Sequence, residues 1–402
     1  MDKRLYSYQE GEKIGERYQV IKANSGGSAE VFLCKDTINQ HTYALKTIKQ
    51  KYLNSQRTVA RFYKEAEYLL ALSDQPNIVR CYWIEEIDSR PFIFLEWVGH
   101  GSSQSSTLRK WMRHQNLDRR FALNVAIDIC KGLQQINQIL PNLVHCDLKP
   151  TNILITHNQT AKICDFSHAR YADEHRLLGT DQYAAPELWL KESVDIRTDI
   201  YAIGCILYEL LIGQKLFNAN SNQEYKQLHL ESPIPQLSKR TNLSPIVDEI
   251  LAKCLAKDRR DRFADVQELL DLLIIFYKDI FSEAPKQKVT RKKLVADDLI
   301  NRGYAYFNLQ KYDLALDCLD KAINHDANIA NAYAQSGLVL VRKKQYHQAI
   351  NKFTQALQID YFNTSYFANR AFCYTQIENY VQAISDYNDA IKRSPHDLQD
   401  GC

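Results

Sequence analysis

Three oxygen-bearing side chains mark where chemistry could occur. Asp147 and Asn152 lie in the run His145-Cys-Asp-Leu-Lys-Pro-Thr-Asn152, and Asp165 opens Asp165-Phe-Ser167 after a β-like stretch, Thr160 to Cys164. Two carboxylates and an amide at this spacing suit coordination of Mg²⁺ together with handling of a hydroxyl proton. Lys149 adds a cation two residues after Asp147. Lys46 ends a strand-like segment well upstream, and Glu65 follows it by nineteen residues. Earlier still, Asn24-Ser-Gly-Gly-Ser-Ala29 is a small-residue turn between strand-like runs. Such a turn can bring backbone N–H groups to phosphate oxygens, although a plain hairpin uses the same residues.

These groups need a scaffold, and its elements are legible. Tyr18 to Ile21, Glu30 to Cys34, Thr42 to Lys46 and Phe92 to Leu95 read as strands, and Val59 to Leu72 as a helix that carries Glu65. The segments Asp199 to Leu211 and Glu268 to Phe276 are apolar nearly all round. That pattern predicts core helices, and neither is long enough to span a membrane.

Composition excludes several classes. In 402 residues, 51 basic side chains face 48 acidic ones, a net charge of +3 that does not suit nucleic-acid binding by counterion release. The first ten residues are polar, without the apolar stretch of a signal peptide, and no apolar run reaches transmembrane length. The closest of the ten cysteines, Cys130 and Cys146, are sixteen residues apart, so there is no CxxC zinc pattern and no dense disulfide framework. Reduced, buried thiols in a cytoplasmic protein are expected.

Composition shifts near residue 285. Residues 282–295 are polar and basic and read as a linker. From Ala296 the sequence repeats every 34 residues: Gly303, Gly337 and Ala371; Tyr312, Tyr346 and Tyr380; Ala315, Ala349 and Ala383; Leu319, Phe353 and Tyr387; Ala322, Ala356 and Ala390. This period predicts stacked helix–turn–helix units, with small residues at close helix contacts and aromatics between units. It resembles a tetratricopeptide repeat array of three units, 296–329, 330–363 and 364–397, an all-α helical-repeat solenoid. By that resemblance the array binds proteins, through a groove including Tyr304, Asn308, Leu338, Arg342, Phe372 and Gln376. Such arrays usually end in a polar capping helix, and only Leu398 to Cys402 follow the third unit. Either the last helix is polar enough to end the stack alone or another surface covers it, and Asp386, Asn388, Asp389, Lys392 and Arg393 favour the first.

The motifs ahead of the linker, with Gly179-Thr180 and Ala185-Pro-Glu187, make residues 15–281 resemble a eukaryotic-type protein kinase domain of bacterial kind. That resemblance implies an α+β bilobal fold, with a small β-rich lobe and a large helical lobe. It also implies the roles. Lys46 would hold the ATP phosphates, positioned by Glu65. Asp147 would take the substrate hydroxyl proton, and Lys149 would neutralise the transferred phosphoryl group. Thr180 would stand against these two. Asn152 and Asp165 would hold Mg²⁺, or Mn²⁺ in its place. Asn24, Gly26, Gly27, Val31 and Ala44 would enclose the nucleotide. Glu96 and Val98 would meet adenine through the backbone, with Leu95 as gatekeeper. Glu187 and Arg262 would form a buried ion pair, and Asp199 would brace the catalytic loop. Asp147-Leu-Lys-Pro and Thr180 resemble the serine/threonine branch of the family.

Four departures qualify the resemblance. Asn24 and Ala29 replace outer glycines of the phosphate loop, which implies weaker ATP affinity. Ser167 replaces the glycine after Asp165-Phe166 and restricts a backbone flip. Cys146 replaces an arginine that in many kinases binds a phosphate on the activation loop, and between His168 and Gly179 the one hydroxyl side chain is Tyr171. Activation by Ser/Thr phosphorylation of that loop is therefore not expected. No helix start or cation is evident near Cys146 to activate its thiol. The hinge continues into a long polar loop, Gly99 to Thr107. These departures motivate a second reading, a pseudokinase scaffold that binds partners without phosphoryl transfer. Retention of Lys46, Glu65, Asp147, Lys149, Asn152, Asp165 and Thr180 favours an active kinase acting on proteins.

Overall fold

The computed structural model describes residues 7–25, 29–100, 104–114, 117–171, 182–239, 241–285 and 296–393. The chain forms two compact units.

The larger unit is bilobal. Its small lobe is a six-stranded sheet of β1 (Lys13–Ile14), β2 (Tyr18–Ser25), β3 (Ala29–Asp36), β4 (Thr42–Ile48), β5 (Cys81–Ile87) and β6 (Arg90–Glu96). The spatial order is β1-β2-β3-β4-β6-β5. The β3–β4 register sets Val31 opposite Lys46, and the β4–β6 register sets Ala44 opposite Leu95. Side chains two apart on a strand share a face, so Ala44, Lys46 and Ile48 all project to one side. β4 runs two residues beyond Lys46, which therefore lies within the strand and not at its end.

Helix α1 (Gln56–Ala71) packs beside this sheet. Its N-cap Ser55 accepts a hydrogen bond from the Thr58 N–H, satisfying one of the unpaired donors of the first turn. Phe62, Glu65, Ala66 and Leu69 are buried at helical spacing, so Glu65 sits on the inward stripe.

The large lobe contains α2 (Leu108–His114), α3 (Arg119–Ile139), α4 (Pro186–Leu190), α5 (Ile196–Ile212), α6 (Asn222–Glu231), α7 (Ile246–Cys254) and α8 (Val266–Phe281). Thirteen of the seventeen residues of α5 are buried, as an all-round apolar helix requires. α5 starts three residues before Asp199, because Asp195 caps it by accepting the Arg197 N–H. Asp199 thus sits in its first turn. Short antiparallel pairings add to the lobe, among them Leu143–Val144 with Arg170–Tyr171 and, lying between these in sequence, the hairpin of Ile153–Ile155 with Ala161–Ile163.

The smaller unit is a helical solenoid: α9 (Ala296–Asn308), α10 (Tyr312–His325), α11 (Ala330–Arg342), α12 (Tyr346–Ile359), α13 (Thr364–Gln376) and α14 (Tyr380–Arg393). The first helices start 34 residues apart, and so do the second helices. Even the turns repeat, since Gln310, Lys344 and Glu378 carry φ of 59°, 59° and 61°. The repeated glycines are steric: a Cβ on Gly303 would lie 2.7 Å from Leu319, and one on Gly337 would lie 2.7 Å from Phe353. The large residue at this position therefore fills space within a unit, against its own first helix, and not only between units. The expected groove residues are open to solvent, with Tyr304, Asn308, Arg342, Phe372 and Gln376 exposed and Leu338 half-buried.

The polar end of the stack is not what α14 presents. Asp386 is buried and paired with Arg370 at 2.7 and 2.8 Å, whereas Tyr380, Val381, Ile384, Tyr387 and Ile391 face solvent. The count of polar residues in this helix was a poor guide to which face they occupy. Among the described residues, no helix is long and apolar enough to cross a membrane.

Candidate active site

Between the lobes lies a cleft of about 860 Å³. Asn24, Ala29, Val31, Ala44 and Lys46 line it from the sheet, and Leu95, Glu96 and Val98 from the segment joining the lobes. Asp147, Lys149, Asn152 and Asp165 line it from the large lobe. Gly26, Gly27 and Thr180 lie outside the described residues.

Lys46 Nζ stands 2.6 Å from Glu65 Oε1 and 2.9 Å from Asp165 Oδ1. One cation thus joins β4, α1 and the large lobe. Burial opposes the charged Lys46, and the Asp165 and Glu65 carboxylates overcome it, so the ammonium titrates above its ordinary value. Burial raises Glu65 to about 7 against the pull of Lys46. Asp165 is also buried, which by itself would raise it, yet Lys46 holds its carboxyl far below the ordinary range.

Asp147 is organised by its neighbours. Lys149 Nζ lies 2.7 Å from its Oδ2, and Asn152 Nδ2 donates to its backbone oxygen at 2.9 Å and to Oδ2 at 3.0 Å. The backbone before it is braced from α5, where Asp199 accepts the His145 N–H at 2.8 Å and the Cys146 N–H at 2.9 Å. This brace holds Cys146 at φ 63°, and Asp165 stands at φ 64°. Both are left-handed conformations that non-glycine residues adopt at a cost, so the surrounding contacts must over-determine them. Burial pushes Asp199 up to about 7, opposed by the same two N–H groups.

The donor set fits a hard divalent cation. Asn152 spends its amide hydrogens on Asp147, which leaves its amide oxygen to offer. Asp165 Oδ1 faces Lys46, which leaves Oδ2. Among the described residues no group of three His, Cys, Asp or Glu could hold a metal. Two protein oxygens, with the rest of the shell left to phosphates and water, is how Mg²⁺ is commonly bound.

Several supports were missed or misjudged in the sequence. The Glu96 side chain is held apart from the backbone role expected of it: its Oε1 accepts from Lys162 Nζ at 2.7 Å and from the Arg80 N–H at 2.6 Å, a support the motifs did not reveal. Alternation in β-like Thr160 to Cys164 sets Lys162 on the face opposite Ala161 and Ile163, which the sequence would give to solvent, whereas both faces are buried. The Val98 carbonyl accepts the Ser106 N–H at 3.1 Å, tying the polar loop back to the hinge. Cys146 does have a cation nearby, because pairing of Arg170 with Val144 brings that guanidinium alongside. Burial nevertheless dominates and pushes the thiol far up, so Cys146 is not a reactive thiolate. Ser167 is absent from the left-handed residues, so a side chain there costs no backbone strain in this conformation. Glu187 receives Arg262 in a two-bond pair at 2.8 and 2.9 Å, and the Thr198 hydroxyl donates to it at 2.7 Å.

A two-lobed fold with this lysine–carboxylate bridge in its cleft defines a protein kinase. The family model described as protein kinase domain matches residues 17–272, and this chain belongs to that family. Tetratricopeptide repeat models match 296–329 and 330–363. The third helix pair continues the same period. Among similar proteins, the probable serine/threonine-protein kinase PknB of Lactococcus lactis is 31% identical over 65% of this chain and 42% of its own length. The serine/threonine-protein kinase PknB of Mycolicibacterium smegmatis is 30% identical over 68% of this chain and 45% of its own length. The corresponding figures for PrkC of Bacillus subtilis are 31%, 68% and 42%. The chain thus spans less than half the length of these curated relatives.

Proposed function

We propose that the chain is an ATP-dependent serine/threonine protein kinase, with residues 15–281 as its catalytic domain, 282–295 as linker and 296–397 as a protein-recognition array. The observation that carries this reading is the Lys46 bridge to Glu65 and Asp165, because it joins three separate elements in the arrangement phosphoryl transfer needs. Serine/threonine specificity is supported by Asp147-Leu-Lys-Pro and by the relatives' names.

In this reading Lys46 orients the α- and β-phosphates, and Glu65 fixes the lysine. Asp147 accepts the proton of the substrate hydroxyl as oxygen attacks the γ-phosphorus, and ADP leaves on the opposite side. Lys149, already beside Asp147, offsets charge on the phosphoryl oxygens in flight. Asn152 and Asp165 would hold Mg²⁺, or Mn²⁺. Bound there, the ion would neutralise phosphate charge and align the leaving group. The array would bring protein substrates or regulators to the enzyme. Operation in the cytoplasm is supported by nine free cysteine thiols among the described residues.

Incubation with γ-labelled ATP, Mg²⁺ and a protein acceptor, followed by phosphoamino-acid analysis, tests this. Label in phosphoserine and phosphothreonine is expected. Label confined to phosphotyrosine, or no label with nucleotide still bound, would overturn it, the latter in favour of the scaffold.

A further inference from the structure

The repeat itself identifies an incomplete surface. Ile350, Phe353 and Leu357 on α12 are 8%, 0% and 4% exposed, on a helix flanked by α11 on one side, where Phe353 meets Gly337, and by α13 on the other. Thirty-four residues later the same positions on α14 are Ile384, Tyr387 and Ile391, at 62%, 40% and 50%. Tyr380, the counterpart of half-buried Tyr346, is 58% exposed. These residues recur at i, i+4, i+7 and i+11, one continuous stripe along the helix. A solvent-facing helix end would carry polar groups at these places. α14 instead keeps the residue types with which α12 receives a helix.

We propose that α14 is a self-association surface, occupied by α14 of a second copy of this chain in an antiparallel, two-fold pairing. The stripe is self-complementary in that direction. Centred between Ser385 and Asp386, antiparallel pairing sets Tyr380 against Ile391 and Ile384 against Tyr387, each pair occurring twice by symmetry. Charge agrees. Exposed Glu378, just before the helix, falls against the exposed Lys392 and the neighbouring Arg393 of the second copy. A parallel pairing would set Glu378 against Glu378 and Lys392 against Lys392. The stripe is a single helix face, smaller than a standard interface of roughly 800 Å² per partner, so the dimer dissociates on dilution.

Sedimentation velocity of the full chain over a concentration series tests the pairing. A monomer–dimer equilibrium is expected. Ile384→Glu places a charge at the centre of the stripe and should raise the dissociation constant about 30-fold or more. Ile384 is exposed in the monomer, so the helical circular dichroism and melting of the variant should stay unchanged. Glu378→Lys should weaken the dimer, and adding Lys392→Glu to it should restore association. A chain that stays monomeric throughout would overturn the proposal. So would a dimer indifferent to Ile384→Glu, which would place self-association elsewhere, and a double variant with no recovery would reject the antiparallel register.

Discussion

Asp199 reaches back from the first turn of α5 to accept both the His145 and the Cys146 N–H groups, 2.8 and 2.9 Å away. Two hydrogen bonds from one carboxylate thereby hold the strained backbone that aims Asp147 into the cleft. The loop that carries Asp147 is set from beneath by a core helix, and in the proposed kinase the chemistry above it depends on that helix.

Replacing the brace should separate positioning from folding. Asp199→Asn keeps a carbonyl oxygen for one N–H but cannot serve both as well. Phosphoryl transfer should fall about 10²-fold, through kcat more than KM for ATP, with the cleft still binding nucleotide. Steady-state kinetics beside nucleotide titration checks this.

Glu65 should give activity and stability opposite dependences on pH. The Lys46–Glu65 pair needs an ionised carboxylate, and burial raises Glu65 to about 7. Activity should therefore decline as pH falls through about 7, and Glu65→Gln should be weakly active without that inflection. Folding runs the other way. Glu65 and Asp199 both titrate higher in the fold than in the unfolded chain, so their contribution to stability is complete at acid pH and is lost as pH rises through about 7. Melting temperatures of wild type and Glu65→Gln across this range check the sign.

Arg262 and Glu187 are 0% and 3% exposed at their side chains. Arg262→Ala leaves a buried carboxylate without its main partner and should destabilise the catalytic unit by about 3–5 kcal/mol. Replacing both with apolar residues of similar volume should recover much of the loss. Chemical denaturation of the single and paired variants measures it.

Activation should not require Ser/Thr phosphorylation of the loop after Asp165. Cys146 cannot bind a phosphate as an arginine would, and the nearby Arg170 is a buried side chain. Phosphatase-treated protein should keep its activity. An activating phosphate on Ser167 or Thr180, found by mass spectrometry and required for turnover, would contradict this.

The residues that the cleft brings together were legible in the sequence because the proposed phosphoryl transfer needs particular atoms at particular places, which leaves motifs. The 34-residue period was equally legible, since each helix start recurs at that interval. What spacing could not show was direction. Polar residues in α14 suggested a soluble end, but Asp386 turns inward to Arg370 and the apolar stripe turns out. Similarly, the expectation for Glu96 concerned its backbone, and only the fold brings Lys162, sixty-six positions away, to its side chain. Arg170 reached Cys146 through a two-residue strand pairing too short to leave a pattern.

The central claim is that Asp147, held by Lys149 and Asn152, is the group through which this chain transfers phosphate. Its most direct test is radiolabelled phosphate transfer by wild type and by Asp147→Ala, to the protein itself and to an added protein acceptor. Transfer by wild type and its near-complete loss in a folded, nucleotide-binding Asp147→Ala is the predicted result. Equal signals from the two proteins would contradict it.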